Sequence, residues 1–160
     1  MTEAELENCL EEAERGPKKV AAAVSGLPDK VLRYKPSPEK WCILEILGHL
    51  ADVEIVYAYR IRQMVADKKP VIAPIDQNDW AKSLGYLDAS PAELIAQFGL
   101  IRHHNLRVLR RLKQADLSRS AYHPETKADV NLEDMVQLLS KHDANHLEQI
   151  ESLKKGAGRG

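Results

Sequence analysis

Two histidines four residues apart carry the first chemical signal in this chain. His142 and His146 lie in LSKHDANHLEQI, Leu139 to Ile150. On an α-helix such residues stand one above the other, roughly 5–6 Å apart at Cβ. Two imidazoles so placed can bind one metal ion between them. The apolar stripe of the segment runs Leu132, Met135, Leu139, His142, His146, Ile150, Leu153. Its steps of three or four residues put both histidines on the inward line. A buried imidazole needs a partner, because an unsatisfied buried polar group is costly. The spacing lacks the glutamate of a zinc-protease motif, so by itself it leaves open a pair of histidines satisfied by hydrogen bonds.

A third histidine strengthens the metal reading. His49 falls on the stripe Cys42, Ile46, His49, Val53, Val56, Arg60 of another helical segment. If the two helices are neighbours, three imidazoles converge. Three protein ligands with one open position is the catalytic arrangement for zinc, whereas structural zinc sites close with four. Imidazole also suits nickel, copper and iron. Asp52 and Asp143 lie near these histidines in sequence. Either can accept a ligand's second ring N–H, or both are ordinary surface carboxylates. Glu148 and Gln149 follow His146 and can reach the open side as a base or a hydrogen-bond partner. His123, on a later loop, is either a polar group facing substrate or a turn residue.

Helices must hold these residues, and the composition allows them. With 160 residues, 44% hydrophobic and 29% charged, the chain predicts one soluble globular domain over 1–155. The segment 156–160 reads as a flexible tail. A formal charge of −1 gives no electrostatic reason to expect nucleic acid. No apolar run is long enough to predict a membrane span. The acidic start MTEAELENCLEEAERG has no signal-peptide core, and Cys9 and Cys42 are too few for a disulfide framework. A cytoplasmic location is expected.

Thr2 with Glu5 is a capping-box pattern that starts a first helix, and Gly16-Pro17 predicts a kink or break in it. The second helix follows Trp41, which reads as a packing anchor, with Cys42 at the cap position opposite Glu45. Residues 67 to 89 read as a long extended loop, in which Asp79 and Trp80 line a pocket or Trp80 plugs the core end. Ser90-Pro91-Ala92-Glu93 starts a third helix running to about Ala115. Arg102, Arg107, Arg110 and Arg111, with His103 and His104 among them, read as a solvated face. Tyr122-His123-Pro124 predicts a tight turn or small hairpin, and Asn131 with Asp134 begins the fourth helix. The sum is an all-α four-helix bundle, whose sites are built from side chains on facing helices.

Two segments carry a family resemblance. W-C-x-x-E-x-x-x-H-L-A-D at Trp41 to Asp52 and KHDANHLEQI at Lys141 to Ile150 resemble the DinB-like superfamily. PVIAPIDQNDWAKS and AYHPETKADVNLED are similar to segments of its branch of YfiT-like metal-dependent hydrolases, which includes bacillithiol S-transferases. The match spans roughly residues 17 to 153. It implies an up-down-down-up four-helix bundle and one divalent metal, zinc or nickel, on His49, His142 and His146. It also implies homodimers. Cys42 departs from the family's usual Ser or Thr, which weakens a cap rather than the metal site. The resulting expectation is a metal-dependent enzyme acting on a small-molecule substrate. A low-molecular-weight thiol S-transferase with a thiol cosubstrate comes first, beside a hydrolase. The alternative is a stress-associated bundle that binds a metal or small ligand without turnover.

Overall fold

The computed structural model describes residues 1–158. Four long helices form the bundle: α1 (Glu3–Val24), α3 (Ile43–Ala66), α5 (Pro91–Leu109) and α6 (Leu132–Ala157). Two shorter ones, α2 (Asp29–Leu32) and α4 (Gln77–Ser83), lie in connections. A hairpin of β1 (Ser120–His123) and β2 (Ala128–Asn131) precedes α6, with Ser120 opposite Asn131 and His123 opposite Ala128. No helix among the described residues is long and apolar enough to cross a membrane.

Local signals start the helices. Glu5 donates its N–H to Thr2 Oγ1 at 3.2 Å, and Thr2 N–H returns to Glu5 Oε2 at 2.7 Å. Cys42 N–H donates to Glu45 Oε2 at 2.8 Å, so the helix N-terminus is served from the glutamate side of the box. Asn131 and Asp134 exchange bonds of 2.8 and 3.0 Å at the start of α6.

Polar contacts fix the directions. Met1 meets Glu133 at 3.0 Å, so α1 and α6 start at the same end. Between α3 and α5, Asp52 meets Gln97, Glu54 meets Arg102, and Arg62 meets Asn105. Those pairs advance together, so α3 and α5 are parallel. His49 and His142 face each other across α3 and α6, while Met64 shares a core cluster with Met135. Hence α3 runs against α6, and the connectivity is up-down-down-up.

That topology explains the long connection after α3. Parallel neighbours need a crossover along the bundle rather than a tight turn. The crossover is ordered, in contrast to an extended loop. Tyr122 N–H donates to Pro70 O, and Ile72 N–H to Tyr122 O, both at 2.9 Å. Arg60 Nη2 holds Ala73 O at 2.9 Å, and Asp76 caps α4 through Asn78 and Asp79 N–H. Helix α4 is too short to show a periodic pattern.

Other expectations are corrected. Helix α1 continues through Gly16-Pro17. Proline removes the N–H that would bond the Ala13 carbonyl, and Arg102 Nη1 donates to that oxygen instead at 2.7 Å. Arg102 is therefore not on a solvated face: it is 1% exposed, on the inward line with Leu94, Phe98, Asn105 and Leu109. Arg107, Arg110, Arg111 and His103 are exposed. Helix α5 ends at Leu109, short of Ala115, and α6 continues through Gly156 and Ala157, where a tail was expected. Residues 159–160 of that tail lie outside the described residues.

The core has two apolar clusters. One contains Leu10, Ile61, Met64, Leu106 and Leu139. The other contains Val20, Ile43, Leu47, Phe98 and Ile150. A buried polar group made of Glu54, Arg102, Asn105 and Asp143 accompanies them.

Candidate metal centre

The antiparallel contact of α3 and α6 brings three imidazoles to one point. His142 Nε2 lies 3.1 Å from His49 Nε2 and 3.2 Å from His146 Nε2. One ring nitrogen from each of the three lies within 4.8 Å of the others. A tetrahedral ion with bonds of about 2.0–2.1 Å separates its nitrogen ligands by about 3.3–3.4 Å, so the observed spacing nearly fits.

The protonation states fit as well. Burial, with the neighbouring His146, pushes His49 down to about 4. Burial, with both other histidines, pushes His142 down to about 2. Burial also lowers His146, opposed by Gln149 and Asp143. The rings are thus neutral at pH 7, as metal ligation requires. His146 Nδ1 faces Gln149 Oε1 at 3.0 Å. A carboxamide oxygen only accepts, so Nδ1 carries the proton and Nε2 turns a lone pair to the cluster. Three converging ring nitrogens, with His146 presenting a lone pair, suit a cation at their centre. His142 Nδ1 is buried without a partner among the described residues, against the edge-on ring of Tyr57.

His142 and His146 line an open cavity of about 640 Å³, a ligand-sized volume. Trp41 belongs to its wall and lies 5.0 Å from the His49 ring, centroid to centroid. It is thus part of the site as well as an anchor. Further polar wall groups come from Glu39, Lys40, Gln77, Asn78, Asn145, Gln149 and Ser152.

The remaining candidates fall in different places. Asp52 accepts from Gln97 at 3.3 Å and lies beside the Tyr86 phenol, which burial and this carboxylate push up. Asp143 is held by two bonds from Arg102. Neither carboxylate bonds an imidazole. Gln149 reaches the site and Glu148 is exposed. His123 lies on β1 and not on the cavity wall, with Nδ1 buried and unpartnered among the described residues. Asp79 and Trp80 do not line the cavity. Gln77 and Asn78 do, at the first turn of α4, and the Asp76 cap was the signal that could have found them.

Comparisons with known proteins show the family and the fold. "Putative metal-dependent hydrolase YfiT" of Bacillus subtilis is 26% identical over 145 residues, covering 91% of this chain and 82% of that protein. A Geobacillus thermodenitrificans protein of the same hydrolase designation is 28% identical over 144 residues, covering 89% and 80%. The uncharacterized protein YuaE of B. subtilis is 24% identical over 144 residues, covering 82% and 88%. The solved structure of YfiT, described as a probable metal-dependent hydrolase with an unusual four-helix bundle topology, superposes with a TM-score of 0.93. It covers 99% of this chain and 90% of that one at 24% identity. The model of the DinB superfamily matches residues 12–150, and the chain belongs to that superfamily.

Proposed function

We propose that this chain is a metal-dependent enzyme in which His49, His142 and His146 hold one divalent ion, zinc or nickel. Its reaction is the transfer of a low-molecular-weight thiol to a small electrophile, with hydrolysis where water takes the thiol's place. The observation that carries the reading is a set of three convergent imidazoles beside an open cavity, with no fourth His, Cys, Asp or Glu in the cluster among the described residues. A structural zinc site would be closed by four. An ion held there supplies Lewis acidity that lowers the pKa of a thiol or water presented to it.

The chain's own groups prepare that chemistry. A free thiol near pKa 8.5 is mostly protonated at neutral pH, so activation is needed. Gln149 fixes the tautomer and orientation of His146. Trp41 offers a flat apolar wall, and the carboxamides of Gln77, Asn78 and Asn145 offer both donors and acceptors for orienting a polar substrate. Glu39 and Lys40 place one charge of each sign at this wall. Holding both reactants in one cavity gains from proximity.

The test is a matrix of small thiols against electrophiles such as monochlorobimane, with simple esters and amides alongside. Thioether formation that depends on added zinc or nickel, and falls at least about a hundredfold in His142→Ala, is the expected result. Ester or amide cleavage with the same dependence would assign hydrolysis instead. Turnover unchanged in His142→Ala, or none with any pair, contradicts the reading.

A further inference from the structure

One guanidinium touches all four long helices. Arg102, on α5, directs Nε and Nη2 to Glu54 Oε1 on α3, at 3.0 and 2.7 Å. Nη1 donates to Ala13 O on α1 at 2.7 Å. Nη1 and Nη2 grip Asp143 on α6 at 2.6 and 3.0 Å. These contacts use all five N–H donors of the side chain. Asn105 Nδ2 completes the group by donating to Glu54 Oε2 at 3.0 Å.

Helix α1 is shaped to the contact. Pro17 leaves the Ala13 carbonyl free for Arg102. Gly16 leaves room for Asp143, since a Cβ there would overlap the Asp143 carboxylate and approach Arg102 Nη1 to 3.3 Å. Glycine inside a helix costs about 1 kcal/mol relative to alanine, so this position gives up helix propensity for that space.

Asp143 lies between the two histidines of α6, one residue after His142 and three before His146. A turn of α6 by about 10° moves a side-chain tip by about 1 Å at the 5–6 Å radius of a helix surface. Metal–ligand distances tolerate only about 0.2 Å. The rotation of α6 must therefore be fixed, and a polar contact beside the histidines can fix it at the site itself. A bidentate arginine–carboxylate pair is directional.

We infer that Arg102 is a positioning residue for the histidine site. It acts through Asp143 on His142 and His146, and through Glu54 on the helix that carries His49. The inference rests on the reading that the three histidines hold a metal. The Gly16-Pro17 pair is the part of α1 that admits the device.

Cobalt(II) is the probe, read by its visible absorption on metal-free protein. Wild type, His142→Ala, Gly16→Ala and Arg102→Lys are compared, each first checked for folding by circular dichroism and urea titration. Gly16→Ala touches no histidine and favours helix, yet it presses on Asp143. Arg102→Lys keeps the charge and loses the fork. Both are expected to fold and to bind cobalt at least about tenfold more weakly, with weaker tetrahedral absorption. Folded variants with wild-type affinity and spectrum overturn the inference, even if their urea midpoints fall. Should Arg102→Lys not fold, Gly16→Ala carries the test alone. Wild type that binds no better than His142→Ala refutes the metal reading itself, which separates the two failures.

Discussion

The Nε2 atoms of His49 and His142 stand 3.1 Å apart, although 93 residues separate them in the chain. Their meeting depends on α3 and α6 running antiparallel in contact. Together with His146 they form a cluster that is stable only with neutral rings or with a cation at its centre, because three imidazolium charges cannot share that space.

Acid should therefore destabilise the metal-free protein. In the unfolded chain each histidine takes a proton near pH 6.5. Folded, His49 is held to about 4 and His142 to about 2, and His146 is also lowered. Below about pH 6.5 the unfolded state binds more protons, so stability falls as the pH falls, by on the order of 1 kcal/mol per unit for each of His49 and His142, with His146 acting in the same direction. Urea midpoints of chelator-treated protein from about pH 7.5 to about pH 5 measure this. The slope should be shallower in His142→Ala, and an equal slope would contradict the assignment.

Arg102 should be costly to delete. Glu54 is 0% and Asp143 2% exposed, and burial already pushes both carboxyls up, opposed by Arg102. Arg102→Ala leaves two buried carboxylates without their counter-charge, at a cost of about 3–5 kcal/mol. Urea unfolding reads that loss directly, and a loss below about 1 kcal/mol would show that the group is solvated or protonated.

Gln149→Leu should leave the fold intact, since the side chain is exposed and lies on the cavity wall. It removes the acceptor for His146 Nδ1–H. Metal affinity should drop about 10- to 100-fold with little change in the melting temperature of the metal-free protein. Isothermal titration with zinc gives the affinity; no change would remove Gln149 from the site.

Gly48→Ala tests how the crossover seats on α3. A Cβ at Gly48 would overlap the Tyr86 ring, which is buried at the end of the crossover. The substitution should cost about 1–3 kcal/mol through overpacking. Thermal unfolding measures it, and a neutral outcome would mean that Tyr86 moves freely.

Much of this architecture was legible in the chain, for a physical reason. His49, His142 and His146 interrupt apolar stripes with helical steps, so periodicity alone turns them inward. Thr2, Asn131 and Pro91 mark helix starts through local chemistry. What was hidden depends on distant partners. Periodicity counts Arg102 as polar and places it in water, because nothing local reveals Glu54 48 residues earlier or Asp143 41 residues later. Pro17 reads as a break for the same reason: the group that takes up the Ala13 carbonyl lies 89 residues away. The cavity residues Gln77 and Asn78 sit on a helix of seven residues, too short for an amphipathic pattern.

Metal content of protein purified without a metal-affinity tag tests the central claim most directly, beside the His49→Ala, His142→Ala, His146→Ala triple variant. The account predicts about one equivalent of a divalent ion per chain, absent from the variant. A wild-type protein that carries no metal and takes up neither zinc nor nickel would contradict it.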